Sequence, residues 1–157
     1  AGQRARSISF ITDTAEGWGR AKNAYDEIIK EYGVVDAKGL FVSKALSDHP
    51  FLLTLYIELG YAYSELGRTN KIHYDNAITT FTNITSVSAG GSEPWWHSRF
   101  GALQAYFYRG KERDIMTAQI GIKMIQDNYP TFDDNKYGMK EKFEELKRKL
   151  DMVGGSK

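Results

Sequence analysis

Apolar residues recur at intervals of three and four over almost the whole chain, and nowhere do they alternate with period two for long enough to specify a strand. That spacing puts an apolar stripe on one side of each helix and points to an all-α fold, in which the stripes bury one another. In "TDTAEGWGRAKNAYDEIIKEYG" the stripe is Trp18, Ala21, Tyr25, Ile28, Ile29 and Tyr32, with Asp13 expected as N-cap, Glu16 three residues on, and Gly33 as the stop. Residues 37–46 are ambiguous between a short helix and a loop. "SDHP" opens the most apolar run, with Phe51, Leu52, Leu55, Leu59, Ala62, Tyr63 and Leu66 before Gly67. Tyr74, Ala77, Ile78, Phe81 and Ile84 then continue at helical spacing up to the loop "SAGGS". Further helices are predicted over 94–109, 113–129 and 134–151, the last with Met139, Phe143, Leu146 and Leu150 on one face. Pro50, Pro94 and Pro130 stand near the ends of these runs, where a missing N–H does no harm. The expected architecture is six or seven antiparallel helices joined by short loops.

Gly60 sits inside the most apolar of these runs, although glycine costs a helix about 1 kcal/mol relative to alanine. A second helix packed against it would explain its presence, because Gly or Ala lets a large side chain from a neighbour fill the gap. The residues around it form a pattern. Tyr56, Leu59, Gly60 and Tyr63, followed by Ala77 and Phe81, resemble the tetratricopeptide repeat, W-x2-L-G-x2-Y then A-x3-F then P, with Tyr56 in place of Trp. A second, weaker unit has Ala102, Leu103 and Tyr106 in its first helix, Ala118 and Ile122 in its second, and Pro130 eight residues after Ile122. In the first unit that eighth place is Ala89. Ala21, Tyr25 and Gly33 trace the second helix of an earlier unit. Tyr63 and Tyr106 are 43 residues apart and Ala77 and Ala118 are 41 apart, against about 34 in the family, and the surplus falls between paired helices.

The resemblance implies one domain over 1–157, built as a right-handed superhelical stack of αα-hairpins. Its parts would be an irregular first hairpin at about 13–47, tetratricopeptide-like units at about 50–87 and 93–130, and a capping helix at about 134–151. It also implies that the first helix of each pair lines a concave face holding a peptide or partner segment. By position, that face would present Ile57, Tyr61, Ser64 and Glu65 from one unit and His97, Gln104, Phe107 and Tyr108 from the next. The "NYP" ending followed by an amphipathic helix is similar to tetratricopeptide proteins of the bacterial cell envelope, which favours a periplasmic or envelope setting over the cytoplasm.

Bulk properties narrow the function classes. Lys and Arg total 21 against 20 Asp and Glu, so there is no global field to hold a polyphosphate backbone, and nucleic acid is not an expected partner. With no cysteine, thiolate chemistry, disulfides and cysteine-based metal sites are excluded. There is no run of 18 apolar residues and "AGQRARSISF" lacks a signal-peptide core, so the expectation is a soluble chain without direct membrane insertion. Starting at Ala1 without Met, it is read as a mature or excised piece of something longer. His49, His73 and His97 have no partner at metal-binding spacing and are read as surface or cap-adjacent residues. No nucleophile-elbow, P-loop or dinucleotide fingerprint is present, and no catalytic residue, metal or cofactor is expected.

Asp133, Asn135, Gly138 and Glu144 fall at positions 1, 3, 6 and 12 of an EF-hand loop. Tyr137 stands where an oxygen ligand belongs, however, and Met139 and Phe143 run straight into a helical stripe, so Asp133 or Asp134 is read as an N-cap. Trp95, Trp96, Phe100, Tyr106, Phe107 and Tyr108 cannot share one stripe, since neighbouring helical residues point about 100° apart. Either successive hairpins bury them all or some form an exposed patch. The sequon Asn83-Ile84-Thr85 lies in a helical stripe and carries little weight. The reading that follows is a non-catalytic protein-interaction or scaffold module. The alternatives are a helical accessory domain of an enzyme or ligand-binding protein, and a calcium-binding helical module.

Overall fold

In the computed structural model, which describes residues 14–32 and 49–154, α1 (Ala15–Glu31) begins where the Thr14 hydroxyl accepts a hydrogen bond from the Gly17 N–H at 3.1 Å. This satisfies one of the N–H groups that every helix start leaves without a partner. Asp13 and Gly33, expected as cap and stop, lie outside the described residues, as do 37–46 and most of the second half of the expected first hairpin. Five further helices follow among the described residues: α2 (Phe51–Gly67), α3 (Ile72–Val87), α4 (Glu93–Arg109), α5 (Glu112–Asn128) and α6 (Lys140–Gly154). No strand occurs among the described residues, so the periodicity was a sound guide to the all-α class. None of these helices is long and apolar enough to cross a membrane.

Side-chain partners fix how the helices pair. Between α2 and α3, Gly67 meets Tyr74 and Gly60 meets Phe81, so contacts nearer the connecting turn join residues closer in sequence, as antiparallel helices require. The same convergence joins α3 to α4 through Thr85–Ser98 at 2.8 Å, and α4 to α5 through Leu103–Gly121 and Arg109–Asp114. By contrast α4 and α6 run parallel, with Phe100 beside Phe143 at 5.3 Å between ring centres and Tyr108 beside Lys149 at 3.1 Å. Thus α2, α4 and α6 touch in series as one layer, and the intervening helices pack behind them.

Two apolar cores result. The first joins Trp18, Tyr25, Leu52, Tyr56, Leu59, Ala77 and Phe81 of α1–α3 to Ala105 of α4. The second joins Trp96, Phe100 and Leu103 of α4 to Ala118 and Ile122 of α5 and to Phe143, Leu146 and Leu150 of α6. Tyr63 is half-buried and stacks on His73 with 6.3 Å between ring centres, while Pro130 is exposed in the turn after α5. Phe81, with no exposed surface, explains Gly60: a Cβ built there would lie 2.6 Å from the ring. Gly101 of α4 presses the opposite helix against the same ring, and a Cβ there would be closer still. Both helices reach Phe81 only because neither carries a side chain at the contact.

The start of α6 departs from expectation. It begins at Lys140 and not near 134, because Phe132, Asp133, Asp134 and Asn135 all take left-handed backbone, with φ between 53° and 56°. Such a conformation costs an ordinary L-residue about 1–2 kcal/mol, less for Asp and Asn. Burial of the Phe132 ring against Trp96 and Phe143, at 6.2 and 5.8 Å, offsets that strain. Asn135, not Asp133 or Asp134, caps α6, its side-chain oxygen accepting from the Lys140 N–H at 3.0 Å.

Candidate functional site

The layer formed by α2, α4 and α6 leaves a furrow along its outer side, made of three clefts that share lining residues. The central cleft, about 330 Å³, lies among Tyr61 of α2, Phe100, Gln104 and Tyr108 of α4, and Lys142, Glu145, Leu146 and Lys149 of α6. Tyr61 and Lys142 also line a cleft of about 370 Å³ with Ile57, Glu58 and His97. Gln104 and Tyr108 also line one of about 320 Å³ with Ser64, Glu65 and Arg68. Seven of the eight residues placed on a concave face by sequence therefore share one groove: Ile57, Tyr61, Ser64, Glu65, His97, Gln104 and Tyr108. Phe107 does not line it; its ring is half-buried, packs against the second core and meets Tyr108 edge-on at 5.1 Å.

Helix geometry accounts for the convergence. Ile57, Tyr61, Ser64 and Glu65 follow the three-and-four spacing along α2, and Pro94, His97, Gln104 and Tyr108 do so along α4. Each set flanks a buried stripe. Tyr61 sits where floor meets core, its ring edge-on to Phe81 at 5.1 Å. Tyr108 stacks on Tyr74 with 6.4 Å between ring centres and accepts a hydrogen bond from the Lys149 ammonium at 3.1 Å. That bond raises the Lys149 pKa and holds the group charged. Sequence reasoning missed the third wall. Lys142, Glu145 and Lys149 each stand one residue before a core position of α6, Phe143, Leu146 and Leu150, and that offset was the available signal.

Charges differ from wall to wall. The α2 side carries Glu58, and Glu65 paired with Arg68 at 3.1 Å, whereas α6 carries Lys142, and Lys149 facing Glu145 at 3.7 Å. Chemically the groove offers aromatic faces, an amide and charges of both signs in an open setting. Among the described residues no three His, Cys, Asp or Glu side chains converge as metal ligands. In the EF-hand-like window Asn135 is committed to the α6 cap and Glu144 faces Lys140 at 4.0 Å. Millimolar calcium is expected to leave the thermal midpoint unchanged, whereas a site filled at a hundredfold its Kd would add about 2.7 kcal/mol. Calorimetry with and without calcium decides this.

The aromatic surplus of α4 divides among three environments. Trp96 is buried between Phe143 and Tyr129, Trp95 leans on Tyr129 with 5.1 Å between ring centres, and Tyr108 is exposed in the groove. Fold and groove together define an all-α protein of antiparallel helix pairs with an open polar and aromatic furrow along one layer. No family model, curated protein or solved structure matches the chain.

Proposed function

We propose that the chain is a non-catalytic interaction or scaffold module, a tetratricopeptide-like stack that holds an extended peptide or a partner's helix in the groove along α2, α4 and α6. The observation that carries this reading is the convergence of Ile57, Tyr61, Ser64, Glu65, His97, Gln104 and Tyr108 on one continuous furrow. A segment lying there meets charges of both signs, Glu58, Glu65 and Arg68 on one side and Lys142, Glu145 and Lys149 on the other, which favours a partner of mixed charge. Tyr61 and Tyr108 supply large, stiff contact area, and the Gln104 amide can pair with a main chain. The periplasmic or envelope setting goes with the same resemblance.

The test is a random peptide library panned on the immobilised chain. Gln104→Ala combined with Tyr108→Ala is expected to weaken the selected peptides tenfold or more, since an anchor of this kind is worth about 2 kcal/mol. Tyr61 is left intact because its ring also supports Phe81. Peptides whose affinity ignores both changes, or responds instead to Trp95→Ala, would sink the groove assignment.

A further inference from the structure

A further cleft, of about 440 Å³, opens on the opposite side of α4 from the groove, between α3 and α5. Arg99 lines one end and Tyr106 the other, seven residues or about 10 Å apart along the helix. The antiparallel contacts Thr85–Ser98 and Leu103–Gly121 set Thr85, Ser86 and Met124 level with Arg99, while Leu103 and Ile120 line the way towards Tyr106. Arg99 makes no ion pair and no hydrogen bond among the described residues. Its guanidinium lies 5.8 Å from the Trp95 ring centre, and its buried Nε lacks a partner, so the two terminal amino groups are the donors it can offer. Burial lowers its pKa with no carboxylate to offset the effect.

The three helices around the cleft supply no acid for this cation. The chain has no Asp or Glu between Asp75 and Glu93 or between Glu93 and Glu112. Along α5, Asp114 is held by Arg109 at 2.7 Å and Asp127 by Lys123 at 3.2 Å, and Glu112 lies twelve residues before Met124, about 18 Å along the helix. The hydroxyls are mostly committed as well. Thr85, Ser86 and Thr117 donate to the carbonyls of Phe81, Asn83 and Arg113 at 3.0, 2.7 and 2.8 Å, which leaves only Thr82 and Tyr106 with uncommitted hydroxyls.

We propose that this cleft binds a small aliphatic monocarboxylate, its head on the Arg99 guanidinium and its tail along Leu103, Ile120 and Tyr106. A carboxylate presents the planar pair of acceptors that a guanidinium fork matches, and it brings one negative charge to one cation, whereas the second charge of a phosphate would go unmatched. An alkyl tail asks nothing of an apolar lining, but a peptide would bring amide groups that find few partners there. The volume lies within the range of about 300–1,000 Å³ usual for small-ligand sites, and the span from Arg99 to Tyr106 suits a chain the length of octanoate.

Octanoate, titrated below its micelle-forming concentration and followed by NMR, should bind saturably and shift the Ala102, Leu103 and Ile120 resonances. Octanol keeps the tail without the charge and should bind about tenfold more weakly or worse, the difference a charge-assisted hydrogen-bonded pair makes. Arg99→Gln should erase that preference by weakening octanoate alone. Met124→Glu sets a competing carboxylate level with Arg99 and should weaken octanoate by a similar factor, which keeps the test open if Arg99→Gln does not fold. Gln104→Ala with Tyr108→Ala should leave the octanoate affinity unchanged, since those residues belong to the other side of α4. Octanoate that does not bind, or binds no better than octanol, overturns the proposal. So does a preference that persists in Arg99→Gln or Met124→Glu, an affinity that falls with the groove variants, or tighter binding of octyl phosphate or of a short apolar peptide with a free C-terminus.

Discussion

Phe81→Ala is expected to lower unfolding free energy by about 3–5 kcal/mol, among the largest effects a single change in this chain should have. The ring has no exposed surface and lies between Gly60 of α2 and Gly101 of α4, with Tyr61 edge-on to it. Its removal empties a space that three helices border, and helices already in contact elsewhere cannot all close on it. The converse test is sharper. Alanine is the better helix former by about 1 kcal/mol, so an exposed Gly→Ala change would stabilise. Here a Cβ at Gly60 would stand 2.6 Å from the Phe81 ring, and Gly101 prevents the ring from retreating. Gly60→Ala and Gly101→Ala are each expected to destabilise by about 1–3 kcal/mol. In the Phe81→Ala background both should change sign and stabilise, a coupling that urea titrations of the double-mutant cycle measure directly. Destabilisation of equal size in both backgrounds would rule out the shared contact.

The second large effect is expected at the connection between α4 and α5. Gly110, with φ of 75°, lets the chain reverse, and Arg109 donates to both carboxylate oxygens of Asp114 at 2.8 and 2.7 Å. The same guanidinium reaches Asp75 of α3 at 2.7 Å, while Asp114 also accepts from the Lys111 N–H at 3.1 Å. With Asp114 only 3% exposed, Asp114→Ala leaves a half-buried guanidinium with Asp75 as its remaining carboxylate and removes the bond to the Lys111 N–H, and should cost about 2–3 kcal/mol. Hydrogen bonding to Arg109, opposed by burial, holds the Asp114 pKa below its ordinary value. The carboxylate therefore binds its proton more weakly in the folded chain than in the unfolded one. Its contribution is complete above the unfolded-state value of about 3.9 and fades as pH falls from there through the lower folded value. The stability gap between wild type and Asp114→Asn should accordingly be constant from neutral pH to about pH 5 and narrow below pH 4. A gap that widens in acid would contradict the sign of the shift.

Much of this architecture can be read from the sequence because it depends on local periodicity. The stripes through Tyr25, Leu59, Ile78 and Ile122 located α1, α2, α3 and α5, while the residues of two groove walls were expected from the resemblance to the tetratricopeptide repeat. What could not be read depends on contacts between distant residues. Nothing near "FGALQA" marks Gly101 as facing Phe81, twenty positions away, and the repeat pattern drew attention to Ala102 beside it. Asp133 and Asp134 look like helix caps by residue type, yet the anchored Phe132 ring turns the backbone left-handed and hands the cap to Asn135. The bond between Arg109 and Asp114 was within reach, since acid and base flank a glycine turn five residues apart, but periodicity does not report on turns. The repeat resemblance placed Phe107 on the groove face, but its ring packs against the second core instead.

One arrangement bears on how an occupied groove would behave. α4 contributes Ala105 to one core and Trp96, Phe100 and Leu103 to the other, while α2 belongs wholly to the first and α6 wholly to the second. The molecule is in that sense two half-bodies on a common axle. The furrow crosses the axle, so its lining comes from both halves and from α4 between them. An occupant touching both outer walls would bridge the two cores from outside, α2 on one side and α6 on the other. Under the proposed binding role, Phe81 between Gly60 and Gly101 would be the contact that ties the first of these halves to the axle while a segment spans both.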